Sequence, residues 1–347
     1  MKLTINVLED NYYDFLSDHP ADIKFNVVNS IDELLDKNGP VLLTHRLLIT
    51  HRDKVYSNVN SDYILHMPCE GTNTVINVLT DFWGRNNFRI PFIISSGDFD
   101  KNIAHVNIDS FKTILGRTTK ELLTKDWETC DNIFKKTNKP FLFNFLNGVA
   151  RQHRIKLIEI LASKNLLELG LWTALYDKKF LPTEYQFEFE EKNIAKGQYI
   201  NNGWPAGIIH APIYEDTYFS IVTETNFEIP NSYRTEKIYK PLKIGHPFIA
   251  VSSYGFYKDL HNMGFKTFSN LIDESFDTVD NDDLRLSRIA DVIENLCNSN
   301  LVEFLTAAEN ICKHNRAVML ETLNPQDDKH LLSQFIEKFN NYAKNKP

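Results

Sequence analysis

Cysteine is scarce: Cys69, Cys130, Cys297 and Cys312 are the four present in 347 residues. They show neither a pairing pattern nor C-x-x-C spacing, which speaks against a disulfide framework or a zinc site and for reduced thiols. Also missing is any apolar run near the length of a membrane span. The opening MKLTINVLED reads as a strand rather than as a charged leader before an apolar core. The expectation is a protein that stays in solution where it is made, in the cytoplasm. Positive charge is not in excess either. The formal net charge of −8 argues against a surface that grips nucleic acid everywhere by neutralising phosphates. A local groove stays open, because Arg46, Arg52, Lys54, Arg85 and Arg89 come from two nearby stretches; the other reading of them is a solvated surface. No internal repeat and no low-complexity tract is present.

What is there is an alternation of short apolar runs and helical segments. Its length suits two domains, and a hydrophobic content of 42% suffices for two cores. In the first part, Leu3 to Leu8, Ile23 to Val28, Val41 to Thr44, Tyr63 to Met67 and Pro91 to Ile94 read as strands. Ser30 to Asp36 and Thr74 to Trp83 between them have helical character, giving an α/β layer pattern. The polar stretch Glu128 to Asn138 reads as a linker. The expected organisation is therefore 1–138, 139–325 and a terminal helix in 326–347, where Leu331, Leu332, Phe335, Ile336 and Phe339 make an amphipathic face.

The second part carries the densest signals. Tyr218 to Val222 and Pro247 to Val251 read as strands buried on both faces. The helix between them is bounded by Ser232 as a cap, Gly245 as a left-handed stop and Pro247 beyond it. Pro241 inside it predicts a kink or an early end. Tyr233, Arg234, Glu236 and Lys237 fall at its start, where free N–H groups and the helix dipole favour an anion. An ordinary Glu236–Lys240 surface pair is the alternative. Upstream, Phe141 to Leu146 reads as a strand, Asn147-Gly148 as a turn, and Ile155, Ile158 and Leu161 as one helical face. Arg151 and Arg154 thus sit where strand becomes helix. Ligands of doubly wound sheets bind beyond the carboxyl ends of strands, where two guanidiniums suit a diphosphate.

These strings also carry a resemblance. Glu224 in T-E-T, then Y-R-T-E-K, then K-I-G-H-P-F-I-A-V look like the donor-binding segment of GT-B glycosyltransferases, especially fucosyltransferase-like enzymes. T-E-K, G-x-P-F-I and the G-F-K-T-F of Gly264 to Phe268 also resemble a glycosyltransferase-like family of phages and large viruses. So does the strand, L-N-G, then Arg151-x-His153-Arg154. The resemblance covers about residues 139–290. It implies two Rossmann-like domains facing a cleft, with the last helix crossing back to the first domain; packing of that helix on its own domain is equally compatible. It implies that Arg151 and Arg154 hold a nucleoside diphosphate, that Glu236 contacts sugar or ribose hydroxyls, and that Glu224 shapes the same pocket. A viral origin would place the protein in the host cytoplasm.

The implied reaction moves a sugar from a nucleotide-diphosphate sugar to an acceptor hydroxyl. Arginine and lysine would stabilise the leaving diphosphate with no metal or other cofactor. The base that takes the acceptor's proton is expected from the first domain. Glu70 follows the strand YILHM in a setting reminiscent of the fucosyltransferase strand-then-E-S-P segment, with Gly-Thr in place of Ser-Pro. His45 and Asp98 are the other strand-end candidates. A rival is a metal-dependent GT-A enzyme using an Asp-x-Asp, for which Asp98-Phe99-Asp100 and Asp280-Asn281-Asp282 have the form. The acceptor classes open are a glycan, a lipid-linked sugar, a protein or a hydroxymethylated DNA base, and a non-catalytic sugar-nucleotide-binding protein is a further alternative.

Overall fold

Parallel strands covered on both faces need no polar side, so they appear in sequence as unbroken apolar runs. The computed structural model describes residues 3–8, 23–44, 47, 50–57, 63–67, 92–95, 105–107, 129–185, 209–228 and 234–322. The chain divides into two compact units, Met1–Ser110 with Asn324–Pro347, and Phe111–Leu323.

In the first unit, β1 (Leu3–Leu8), β2 (Ile23–Val28), β3 (Val41–Thr44), β4 (Tyr63–Met67), β5 (Phe92–Ser95) and β6 (His105–Asn107) form one sheet. Its order is β2-β1-β3-β4-β5-β6, parallel throughout. Helix α1 (Ile31–Leu35) starts at Ser30, whose hydroxyl accepts from the Glu33 N–H, and buries Ile31, Leu34 and Leu35; α2 (Arg52–Ser57) follows β3. The five strands read from the sequence are present, with the last at Phe92–Ser95 rather than Pro91 to Ile94, and β6 is additional. At three residues with polar ends, HVN, β6 has no run long enough to signal itself. The helical reading of Thr74 to Trp83 and the terminal amphipathic segment lie outside the described residues.

The second unit begins its described part with α3 (Thr129–Lys135). The polar stretch read as a linker therefore contains a helix, anchored by fully buried Ile133. Then come β7 (Phe141–Asn147), α4 (Gln152–Ser163), β8 (Gly170–Ala174), α5 (Ala211–Glu215), β9 (Thr217–Thr223), α6 (Glu236–Ile244), β10 (Phe248–Val251), α7 (Phe256–Asn262), α8 (Asp282–Cys297) and α9 (Leu301–Thr322). The sheet order is β10-β9-β7-β8, again all parallel. Both units are thus α/β and Rossmann-like, each with its first strand inside and its second strand beside it. Every residue of β9 and of β10 is buried, as expected where helices cover both faces.

The chain order makes a switch point between β7 and β9: after β8 the path returns across β7 and continues on its other side. In such sheets the crevice beyond the carboxyl ends of the two strands flanking that reversal is where ligands bind. Core packing fixes these ends. Phe143 and Phe219 contact across β7 and β9 with ring centroids 5.8 Å apart, and Phe248 meets Phe268 edge-on at 5.3 Å. Helix α4 turns His153, Arg154, Leu157 and Leu161 inward, whereas the sequence reading had Ile155 and Ile158 on that face; both are half-buried. Polar residues lead the buried stripe because they meet the strand ends rather than the apolar core. Among the described residues, no helix is long and apolar enough to cross a membrane.

Candidate functional site

Three strand exits make the site. Asn147, the last residue of β7, is locked from both sides: its N–H donates to Thr173 Oγ1 at 2.8 Å, and the Thr223 hydroxyl donates to its Oδ1 at 2.7 Å. Side chains from β8, β7 and β9 thereby align the carboxyl ends of three neighbouring strands. The Asn147 side-chain nitrogen is buried and has no hydrogen-bond partner, and the same holds for Asn226 just beyond β9. Each such orphaned donor costs about 1–3 kcal/mol unless a water or a ligand oxygen meets it.

The two stretches singled out in the sequence do meet here. His153 Nε2 lies 3.0 Å from the Glu224 carbonyl oxygen. Arg154 donates to the carbonyls of Val149 at 3.0 Å, Thr223 at 3.0 Å and Glu224 at 3.2 Å. Arg154 is only 2% exposed, so its guanidinium acts as a strut between the exits of β7 and β9. Arg151 occupies the N-cap position of α4 with extended backbone (φ −138, ψ 146) and makes no capping hydrogen bond with its side chain. It is half-buried, and of the two arginines it is the one with surface to offer.

Glu224 is fully buried, and its carboxylate lies on the start of α6. It accepts from the Thr235 N–H at 3.1 Å, the Thr235 hydroxyl at 2.6 Å and the Ile238 N–H at 3.3 Å. The anion slot expected at this helix start is therefore filled from within the protein. Burial pushes the Glu224 carboxyl up, while the Lys237 charge and the Thr235 bonds act against that push. The cap is Thr235, whose hydroxyl accepts from the Lys237 N–H, and not Ser232. Tertiary context selects it, because the Thr235 hydroxyl caps the helix and grips Glu224 together. Gly245 ends the helix at φ +73 as expected, and the helix continues past Pro241 to Ile244. The early end read from Pro241 does not occur: its carbonyl accepts the closing bonds from Gly245 and His246.

Glu236 and Lys237, half-buried in the first turn of α6, pair with each other at 2.9 Å. The Glu236–Lys240 pair read from spacing is thus replaced by an adjacent one. Burial alone would raise the Glu236 carboxyl, but Lys237 and Lys240 outweigh it and hold it below its ordinary range. Burial in turn brings the Lys240 ammonium down to about 8. Arg234 is buried just before the cap. Tyr233, His45, Glu70 and Asp98 lie outside the described residues.

Several contributors had no distinct sequence signal. Arg285 of α8 is 1% exposed and donates to the carbonyls of Phe227 at 2.6 Å, Val279 at 2.8 Å, Ser252 at 3.1 Å and Asp280 at 3.2 Å. It ties the exits of β9 and β10 together. Phe227 has two such neighbours: His153 stacks on it with ring centroids 5.1 Å apart, and the Arg285 guanidinium lies 4.3 Å from its centroid. Glu228 follows, exposed, beside His153. Asp280-Asn281-Asp282 has a scaffold explanation: Asn281 caps α8, and Asp282 pairs with Arg285 at 2.7 Å. Among the described residues no group of three or more His, Cys, Asp or Glu is placed to hold a metal ion.

What the arrangement offers chemically is two buried amide donors at the strand exits, Asn147 and Asn226, with Arg151 at the start of α4 and Glu236, Lys237 and Lys240 in the first turns of α6. Fixed donors of this kind suit phosphate and hydroxyl oxygens. No protein-family model and no curated protein matches the chain.

Proposed function

We propose that the protein is a glycosyltransferase that takes its sugar from a nucleoside-diphosphate donor seated at the carboxyl ends of β7 and β9. The observation that carries this reading is the convergence of two stretches some seventy residues apart on Glu224. His153 and Arg154 engage its carbonyl, while the capped start of α6 engages its carboxylate. Convergence at a topological switch point is where a diphosphate is held in folds of this class.

On this reading an acceptor oxygen attacks the anomeric carbon and the bond from that carbon to the β-phosphate oxygen breaks. The nucleoside diphosphate leaves with the bonding electrons, and the acceptor proton passes to a base. Arg151 and Lys237 meet the charge that grows on the leaving group. Arg154 keeps the strand ends in register and does not itself carry the phosphate. Glu236, held ionised by two lysines, accepts hydrogen bonds from donor hydroxyls. As in a GT-B enzyme, the base and the acceptor belong to the first unit, with His45, Glu70 and Asp98 as the residues to test. The acceptor is a hydroxyl on a glycan or on a hydroxymethylated DNA base.

The test is a melting-temperature screen against nucleotide sugars, followed by measurement of nucleoside diphosphate release with and without candidate acceptors. A stabilising donor is expected, with Arg151→Ala lowering kcat about a hundredfold. A chain that no nucleotide sugar stabilises does not do this chemistry. A non-catalytic sugar-nucleotide-binding protein is the second reading. It draws on the commitment of Arg154 and Glu224 to the scaffold, and it predicts stabilisation without diphosphate release.

A further inference from the structure

One carboxylate beside the site has no part in that chemistry. Glu228 stands at the root of the β9 exit with 48% of its side chain exposed, and its Oε1 lies 3.9 Å from His153 Nδ1. The other ring nitrogen, Nε2, faces the Glu224 carbonyl oxygen at 3.0 Å. A carbonyl only accepts, so Nε2 carries the hydrogen, and Nδ1 presents a lone pair in the neutral ring or an N–H in the charged one. Nδ1 is buried without a hydrogen-bond partner. The ring is also pinned by its stack on Phe227, so Nδ1 stays aimed at Glu228. His153 above all, with a smaller part from the Arg151 charge, holds this carboxylate below its ordinary range against the push of burial, and Glu228 in turn acts on the nearby Lys156 ammonium. All three basic residues belong to the first turns of α4, where the backbone N–H groups also favour an anion.

We propose that Glu228 is an internal counter-ion seated over the anion site of Arg151 and His153, and that it competes there with the phosphate of the incoming ligand. The inference rests on the nucleotide-sugar reading and adds a control on affinity to that site. With no ligand, the carboxylate neutralises a cluster of like charges. A phosphate brings more charge and more acceptor oxygens than a carboxylate, so it displaces Glu228 into solvent, where a half-exposed side chain loses little. The displaced carboxylate is also a ready acceptor for solvent hydrogen bonds, which keeps the exchange reversible.

Calorimetric titration of the full chain with inorganic pyrophosphate and with a nucleoside diphosphate tests this, comparing wild type, Glu228→Gln and Glu309→Gln. Glu309 sits on α9, where it pairs with Lys313 rather than with the basic residues of α4, and its substitution makes the same charge change. Glu228→Gln is expected to bind pyrophosphate about two- to fivefold more tightly. The gain should shrink at high salt and vanish in an Arg151→Gln background. Glu309→Gln should match wild type. Equal or weaker pyrophosphate binding by Glu228→Gln overturns the proposal and leaves the nucleotide-sugar reading standing. Weaker nucleotide-sugar binding with unchanged pyrophosphate binding would overturn it too, since Glu228 would then be gripping a hydroxyl. If no variant binds either anion or any nucleotide sugar, the nucleotide-sugar reading itself falls.

Discussion

Single side chains in this protein often serve backbone rather than other side chains. Arg154 and Arg285 spend their donors on carbonyls at strand exits, and Glu224 spends its oxygens on the start of α6. Another carboxylate, Glu274, has the same habit with a different consequence. It accepts from the Phe268 N–H at 2.6 Å and from the Thr267 hydroxyl at 2.6 Å, and burial pushes its carboxyl up to about 7 despite those bonds. A folded-state value above the unfolded one means that the native state holds the proton more tightly. Its stabilising contribution is complete below the ordinary value of 4.5 and is lost as pH rises through about 7. His246 runs the other way. Burial lowers it to about 3, so its contribution is present above 6.5 and fades as pH falls. Comparing wild type with Glu274→Gln cancels the histidine. Urea midpoints of the two proteins should lie closer at pH 5 than at pH 8, with the divergence on raising pH in favour of the variant. An identical pH slope in both would place the Glu274 proton elsewhere.

At the scale of elements, legibility followed burial. β7, β9 and β10 could be read from sequence because strands buried on both faces must be apolar throughout. β6 could not, being three residues long. The stop of α6 was legible through Gly245, since a left-handed residue there needs no side-chain partner. Its start was not, because Thr235 is chosen over Ser232 by Glu224, eleven residues upstream. For the site, the cations were visible as residue types, but their partners are carbonyl oxygens, which carry no side-chain pattern. Pairing of β7 with β8 supplies a test at this scale. Gly170 lies opposite Phe143 in the register, and a Cβ at position 170 would meet the ring at 2.3 Å. Phe143 is wholly buried, so the ring has nowhere to swing. Gly170→Ala should cost about 1–3 kcal/mol by overpacking, seen as a lower urea midpoint at unchanged slope. Adding Phe143→Leu should recover part of the loss, a non-additivity expected only if the two positions touch.

For the second unit as a whole, the question is which of two helix starts at the switch point receives a ligand's phosphate. The start of α6 is closed: Glu224 takes the Thr235 and Ile238 N–H groups, and Thr235 takes that of Lys237. The start of α4 has no side-chain cap, and Arg151 and His153 flank it. Hydrogen exchange separates the two. A ligand at a hundred times its dissociation constant adds about 2.7 kcal/mol of global stability, which slows only amides that exchange by full unfolding. First-turn amides exchange by fraying instead, so they report local contacts. With a nucleoside diphosphate bound, the segment 150–156 should therefore slow by about tenfold or more, while 235–240 should change little. The opposite pattern would mean that Glu224 gives up the α6 start to the ligand. The phosphate would then belong with Tyr233, Arg234 and Lys237, and the role of Glu224 would change from fixed scaffold to displaceable plug.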